Sequence, residues 1–109
     1  MTDATVPETD VDGLVAARAL GAVVLDVRQP DEYELAHVPG AVLVPLDQLG
    51  AGLDRVPPGE LYVICRSGAR SARAVQLLAQ AGREATNVAG GTQAWIDAGQ
   101  PVVTGSSPA

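Results

Sequence analysis

With 109 residues, 47% of them hydrophobic, the chain has enough apolar material for one core and one domain. A formal net charge of −6 argues against a nucleic-acid surface, because phosphate binding relies on many cationic contacts. The single cysteine excludes an intrachain disulfide, a dithiol redox pair and a zinc site of cysteine–histidine spacing. No apolar run approaches the roughly 20 residues of a membrane span, and the first eight residues lack the basic and apolar regions of a signal peptide. The expectation is therefore a monomeric cytoplasmic globule with no metal, no cofactor and no membrane contact; the monomer is the default because no apolar stripe is left unexplained.

Residues 1–7 read as a flexible N-terminus. Thr9, with Asp12 three residues on, resembles a capping box, and Val11, Leu14 and Val15 form a narrow stripe, which predicts a helix over 10–20 stopped by Gly21. The β-branched run 22–27 is continuously apolar, as in a buried parallel strand. Pro30 followed by acids predicts a short helix, and 41–44 a second strand after the Val38-Pro39-Gly40 turn. A further short helix is expected within 46–53. Residues 61–64 form the third strand, and 71–81 the best helix, with Ala74, Val75, Leu78 and Ala81 on one face. A fourth strand at 85–88, a Gly90-Gly91 turn and a helix over 92–98 capped by Thr92 complete the pattern. Strands alternating with helices imply an α/β fold: a small parallel sheet of four to five strands with helices on both faces. The domain spans 8–103, and 104–109 reads as a flexible C-terminus.

The chemistry concentrates where the strand 61–64 runs into Cys65-Arg66-Ser67-Gly68-Ala69-Arg70-Ser71. In an open parallel sheet, ligand sites form beyond the carboxyl ends of strands, and Cys65 stands there. A bend through Ser67 and Gly68 into a helix lets successive N–H groups converge on one point. Arg66, Arg70, Arg73 and Arg83 lie in a window, 61–83, without an acidic residue. A lone cysteine ending an apolar strand is in most proteins an inert small hydrophobe. Arginines on both sides of a glycine turn and a helix start reverse that expectation. The reading is a thiolate at neutral pH, favoured by N–H groups, helix dipole and two guanidiniums.

The chain resembles the single-domain rhodaneses, the thiosulfate sulfurtransferases. The matching residues are Asp26-Val-Arg28 with Asp31-Glu-Tyr33, His37-Val-Pro-Gly-Ala41, the loop Cys65–Ser71, and Asn87-Val-Ala-Gly-Gly91 with Trp95 and Gly99-Gln-Pro-Val102. Tyr33, Ala36 and Val38 depart mildly from the family pattern, none of them in the loop. The resemblance implies that thiolate Cys65 attacks the outer sulfur of a small anionic donor such as thiosulfate. Sulfite leaves, and a persulfide waits for cyanide, a thiol or a sulfur-relay protein. Arg66 and Arg70 would orient the donor, and the N–H groups of residues 66 to 71 would hold the persulfide. Asp26 and Arg28 read as an ion pair or loop-fixing hydrogen bonds, His37 as a hydrogen-bonded hinge, Trp95 as core, and Gly90 and Gly91 as close-approach positions beside the loop.

Two rivals stand beside this. A cysteine phosphatase or arsenate reductase uses a similar cradle, but the phosphatase signature has five residues between cysteine and arginine, whereas four separate Cys65 from Arg70 and Ser71 stands where the arginine belongs. The shorter loop suits a sulfur atom better than a tetrahedral oxyanion. A non-catalytic rhodanese-like binding or regulatory module is the other rival; such modules usually lose the cysteine, which this chain keeps.

Overall fold

In a computed structural model, residues 6–109 are described, and the expectation for residues 1–5 lies outside them. Five strands form one parallel sheet: β1 (Glu8–Thr9), β2 (Val23–Asp26), β3 (Val42–Leu43), β4 (Leu61–Ile64) and β5 (Thr86–Val88), in the order β1-β5-β4-β2-β3. The helices are α1 (Val11–Ala19), α2 (Pro30–Leu35), α3 (Ala69–Gln80) and α4 (Gly91–Asp97). β4 lies at the centre of the sheet, so the residue after it emerges between two neighbouring strand ends.

Strand alternation divides the core in two. Leu25, Leu61 and Val63 face Ala74, Val75 and Leu78 of α3. Val24, Ile64 and Val88 face Leu14 of α1, Tyr33 of α2 and Trp95 of α4. Helices therefore cover both faces, as the alternating pattern predicts. Trp95 is fully buried and donates Nε1–H to Pro101 O at 2.7 Å.

Several local expectations are corrected. Asp10, not Thr9, caps α1, accepting from Gly13 N at 2.9 Å, because Thr9 is occupied in β1, where its carbonyl accepts from Ala89 N. Ala17 rather than Val15 completes the inward stripe of α1. The segment 46–53 forms no α-helix; it holds the 3₁₀ turn Leu46–Gln48 and leads into a second, Leu53–Arg55, with Gly50 and Gly52 between them weakening helix propagation. Helix α4 begins at Gly91 after a left-handed Gly90, one residue ahead of Thr92, whose hydroxyl is buried without a hydrogen-bond partner.

The tail expected to fray lies along the turn after α2. Gly105 N donates to Glu34 O at 2.8 Å, Gly40 N to Pro108 O at 2.9 Å, and Val103 bridges His37. Among the described residues no helix is long and apolar enough to cross a membrane.

Candidate active site

Cys65 follows β4 directly, is 1% exposed, and sits at the turn into α3. Gly68 makes that turn with φ +117°, a backbone conformation that glycine adopts without steric penalty. Helix α3 starts at Ala69, two residues before the expected Ser71, so Ser71 occupies the first turn and faces back toward the sulfur. Gly68 N donates to Cys65 Sγ at 3.1 Å, and Ser71 Oγ lies 3.3 Å from it.

Burial pushes the Cys65 thiol up, but the Ser71 hydroxyl and the N–H groups of Ser71, Gly68 and Ser67 outweigh it and leave the thiol below its ordinary value. The N–H groups expected from the sequence are among the causes, and the Ser71 hydroxyl joins them. Short-range donors of the cradle lower it, while the flanking guanidiniums are not among its leading causes.

The arginines have diverged. Arg70 forks onto Glu32 of α2, with Nη1–Oε1 at 2.7 Å and Nη2–Oε2 at 2.9 Å. That guanidinium holds the Glu32 carboxyl down at about 2, against the smaller upward push of burial. Arg83 donates to the carbonyls of Pro57 and Gly59 in the connector before β4, away from the thiol. Arg66 is exposed and, among the described residues, has no side-chain hydrogen bond or ion pair. The uniformly positive island of the sequence thus reduces at the loop to one neutralised and one free cation. Beside Arg66, a groove of about 350 Å³ opens between α2 and α4, lined also by Leu35, Thr92 and Ile96.

The loop is held from behind by α4. Thr92 N donates to Cys65 O at 2.8 Å and Gln93 N to Arg66 O at 3.0 Å, so the first-turn donors of this helix find partners in the loop. This requires a close approach: a Cβ at Gly91 would meet Cys65 O at 2.5 Å and Arg66 C at 2.6 Å. At Gly90 a Cβ would meet Ala94 of its own helix, Cβ at 2.6 Å and Cα at 4.0 Å, and not the loop.

Asp26 and Arg28 form a buried pair. Asp26 Oδ2 accepts from Arg28 Nη2 at 2.7 Å, and Arg28 also donates to the carbonyls of Glu32 and Ala36. The pair fixes α2, which carries Glu32, and makes no hydrogen bond to the thiol. His37 is fully buried and stacked on Tyr33, with Nδ1 2.8 Å from Tyr33 O and Nε2 2.9 Å from Ser107 O. It joins the α2 turn to the tail and is remote from the sulfur's hydrogen bonds.

Three further residues of the site carry no role in the sequence reading. Glu32 and Asn87 stand inside quoted motifs, but their partners are far along the chain. Glu8 lies in a two-residue strand too short to give a periodic signal. Among the described residues no cluster of three histidine, cysteine or carboxylate side chains is arranged to hold a metal ion.

The profile of the Rhodanese-like domain matches residues 10–98. A putative sulfur carrier protein of Bacillus subtilis, YrkF, is 38% identical over 74 residues, covering 66% of this chain and 40% of its own length. A sulfurtransferase of Allochromatium vinosum is 32% identical over 83 residues, 74% of this chain and 78% of that one. The crystal structure of a rhodanese-related protein from Thermoplasma volcanium superimposes with a TM-score of 0.82 at 33% identity, covering 89% of this chain and 97% of that one. The chain spans only 24 to 49% of the length of the first curated relatives it matches.

Proposed function

The chain belongs to the Rhodanese-like domain family, and from that premise we propose that it is a sulfurtransferase that carries one sulfane sulfur on Cys65. The observation that carries this reading is the buried, lone thiol receiving Gly68 N–H and facing the Ser71 hydroxyl, with its ionisation shifted downward. Such a cradle stabilises negative charge on Sγ, and the loop N–H groups remain to meet the charge on a second sulfur attached to it.

Thiolate Cys65 attacks the outer sulfur of thiosulfate or of a persulfide donor. A new S–S bond forms, the donor's own S–S bond breaks, and the electron pair departs with sulfite or a thiolate. The enzyme is left as an anionic persulfide, and no proton moves. Cyanide or a thiol then removes the terminal sulfur and restores the thiolate. Arg66, free beside the groove, meets the anionic donor, while Arg70 contributes only when its fork on Glu32 opens.

Intact-mass measurement after incubation with thiosulfate, then with cyanide, tests the reading. Gain and then loss of one sulfur atom, abolished in Cys65→Ser, is the expected result. No adduct with either thiosulfate or a persulfide donor would replace it with a binding module.

A further inference from the structure

Ser71 has one hydroxyl hydrogen and three acceptors within reach: Cys65 Sγ at 3.3 Å, Gly68 O at 3.2 Å, and Asn87 Oδ1, the shortest contact of the three. It can serve only one of them at a time. Gly68 O is already supplied by Ala72 N and by Asn87 Nδ2. The contest is therefore between Cys65 and Asn87.

The orientation of the Asn87 amide is decided by its other neighbours. Nδ2 faces Glu8 Oε2 at 3.0 Å and Gly68 O at 3.3 Å, and a carboxylate and a carbonyl can only accept. The NH₂ must point to them, which leaves Oδ1 toward Ser71. Asn87 is 1% exposed, and no other donor to its Oδ1 exists among the described residues. When Ser71 gives its hydrogen to the sulfur, a buried carbonyl loses its partner.

We propose that Asn87, oriented by Glu8, is a positioning residue that makes the Ser71 hydroxyl a two-position donor whose hydrogen follows the charge on Cys65 Sγ. With a thiolate, the hydrogen lies on Sγ and Asn87 Oδ1 is unpaired. With a thiol, S–H donates to Ser71 Oγ and the hydroxyl donates to Asn87. In the persulfide, Sγ is the neutral inner sulfur, and the hydrogen again lies on Asn87. During transfer the negative charge leaves Sγ for the outer sulfur as the Sγ–S bond forms and sulfite departs with the electron pair of the broken bond. The hydroxyl then turns to an acceptor already in place. The unpaired Asn87 Oδ1 thus offsets part of what the Ser71 hydrogen bond gives the resting thiolate, and Asn87 receives that hydrogen once the charge has moved. This rests on Cys65 being the working thiol.

The other charged groups around the sulfur are Arg66 and Arg70 of its own loop and helix, Glu32 on α2 paired with Arg70, and Asp26 paired with Arg28 at the end of β2. None of them is altered in the test. Thiolate ultraviolet absorbance is titrated against pH, with Cys65→Ser as the blank, in the full chain. Asn87→Leu removes the competing acceptor and is expected to lower the Cys65 midpoint by about one unit, the scale set by an unpaired buried acceptor. In a Ser71→Ala background the same change is expected to shift nothing.

Because Asn87→Leu can fail to fold, exposed Glu8 supplies a second pair of variants of equal charge. Glu8→Gln keeps an acceptor for Nδ2 and with it the amide orientation. Glu8→Ala leaves Gly68 O as the one remaining acceptor for the NH₂ and so weakens the amide orientation, and its midpoint is expected below that of Glu8→Gln by less than the Asn87→Leu shift; this difference too disappears with Ser71→Ala. Equal midpoints for the two Glu8 variants, or a difference that persists without the Ser71 hydroxyl, would overturn the proposal. The titration uses no sulfur donor, so a failure of sulfur loading alone would count against the proposed function and leave this result standing.

Discussion

Arg70 and Glu32, 38 residues apart, face each other as a two-bond fork, so the arginine that ends the cysteine loop is neutralised by α2 in the resting protein. The pair is partly solvated, with side chains 36% and 28% exposed. Its contribution to stability is then about 1 kcal/mol or less. Glu32→Gln keeps an acceptor for Gln29 N while releasing Arg70. We expect a stability loss within that range and a lower half-saturation for thiosulfate in steady-state assays; an unchanged or higher value would show that Arg70 does not meet the donor.

The same pair has a pH signature. The folded carboxyl of Glu32 is lowered to about 2 from an ordinary 4.5, so its contribution is fully present above the ordinary value and is lost as pH falls through about 2. Denaturant midpoints of wild type and Glu32→Gln should converge as the buffer is acidified across that window. Parallel curves would mean the pair contributes nothing in solution.

Among the described residues Ser71 is the only side chain in hydrogen-bond reach of the Cys65 thiolate, and a hydrogen bond to a charged group contributes about 1.5–3 kcal/mol. Ser71→Ala should raise the Cys65 midpoint by about one to two units. Thiolate absorbance across neutral to alkaline pH reads the change, and the rate of alkylation at neutral pH should fall with it. A wild-type midpoint at or above that of a free cysteine would refute the downward shift itself.

Gly91→Ala places a Cβ against loop backbone at 2.5 and 2.6 Å, where no side chain can yield. Gly82→Ala, at φ +84° with open space around it, meets only the conformational penalty of about 1–2 kcal/mol. Thermal unfolding should show a markedly larger loss for Gly91→Ala, together with failure to load sulfur. Similar losses for the two would mean that α4 does not hold the loop closed.

Asp26 is fully buried beneath Arg28, and removing one partner strands a buried charge. Asp26→Ala should destabilise the protein by about 3–5 kcal/mol. The double variant Asp26→Leu with Arg28→Met should recover part of that loss in chemical denaturation. No recovery would indicate that the Arg28 bonds to the carbonyls of Glu32 and Ala36 matter more than the pair itself.

Four strands, four helices and the position of Cys65 are legible along the chain because each rests on a short window: a β-branched run, a proline at a helix start, a glycine after a helix. β1 is not legible, since Glu8 and Thr9 acquire strand geometry only by pairing with Asn87 and Val88. The start of α4 is misread for a similar reason. Thr92 has the composition of a cap, but its N–H is directed to Cys65 O and the helix begins on the glycine ahead of it.

The sequence by itself determined an α/β parallel sheet, a lone thiol at the end of a strand, and a loop of four residues before Arg70, because these are properties of neighbouring residues. Only the tertiary structure decided which groups act on that thiol. Arg70 is neutralised by Glu32, the loop carbonyls are held by α4, and Ser71 is shared with an asparagine fixed by Glu8. Charge and hydrogen-bond partners act over a few ångströms of space, and the sheet order β1-β5-β4-β2 brings within that reach residues that stand far apart along the chain.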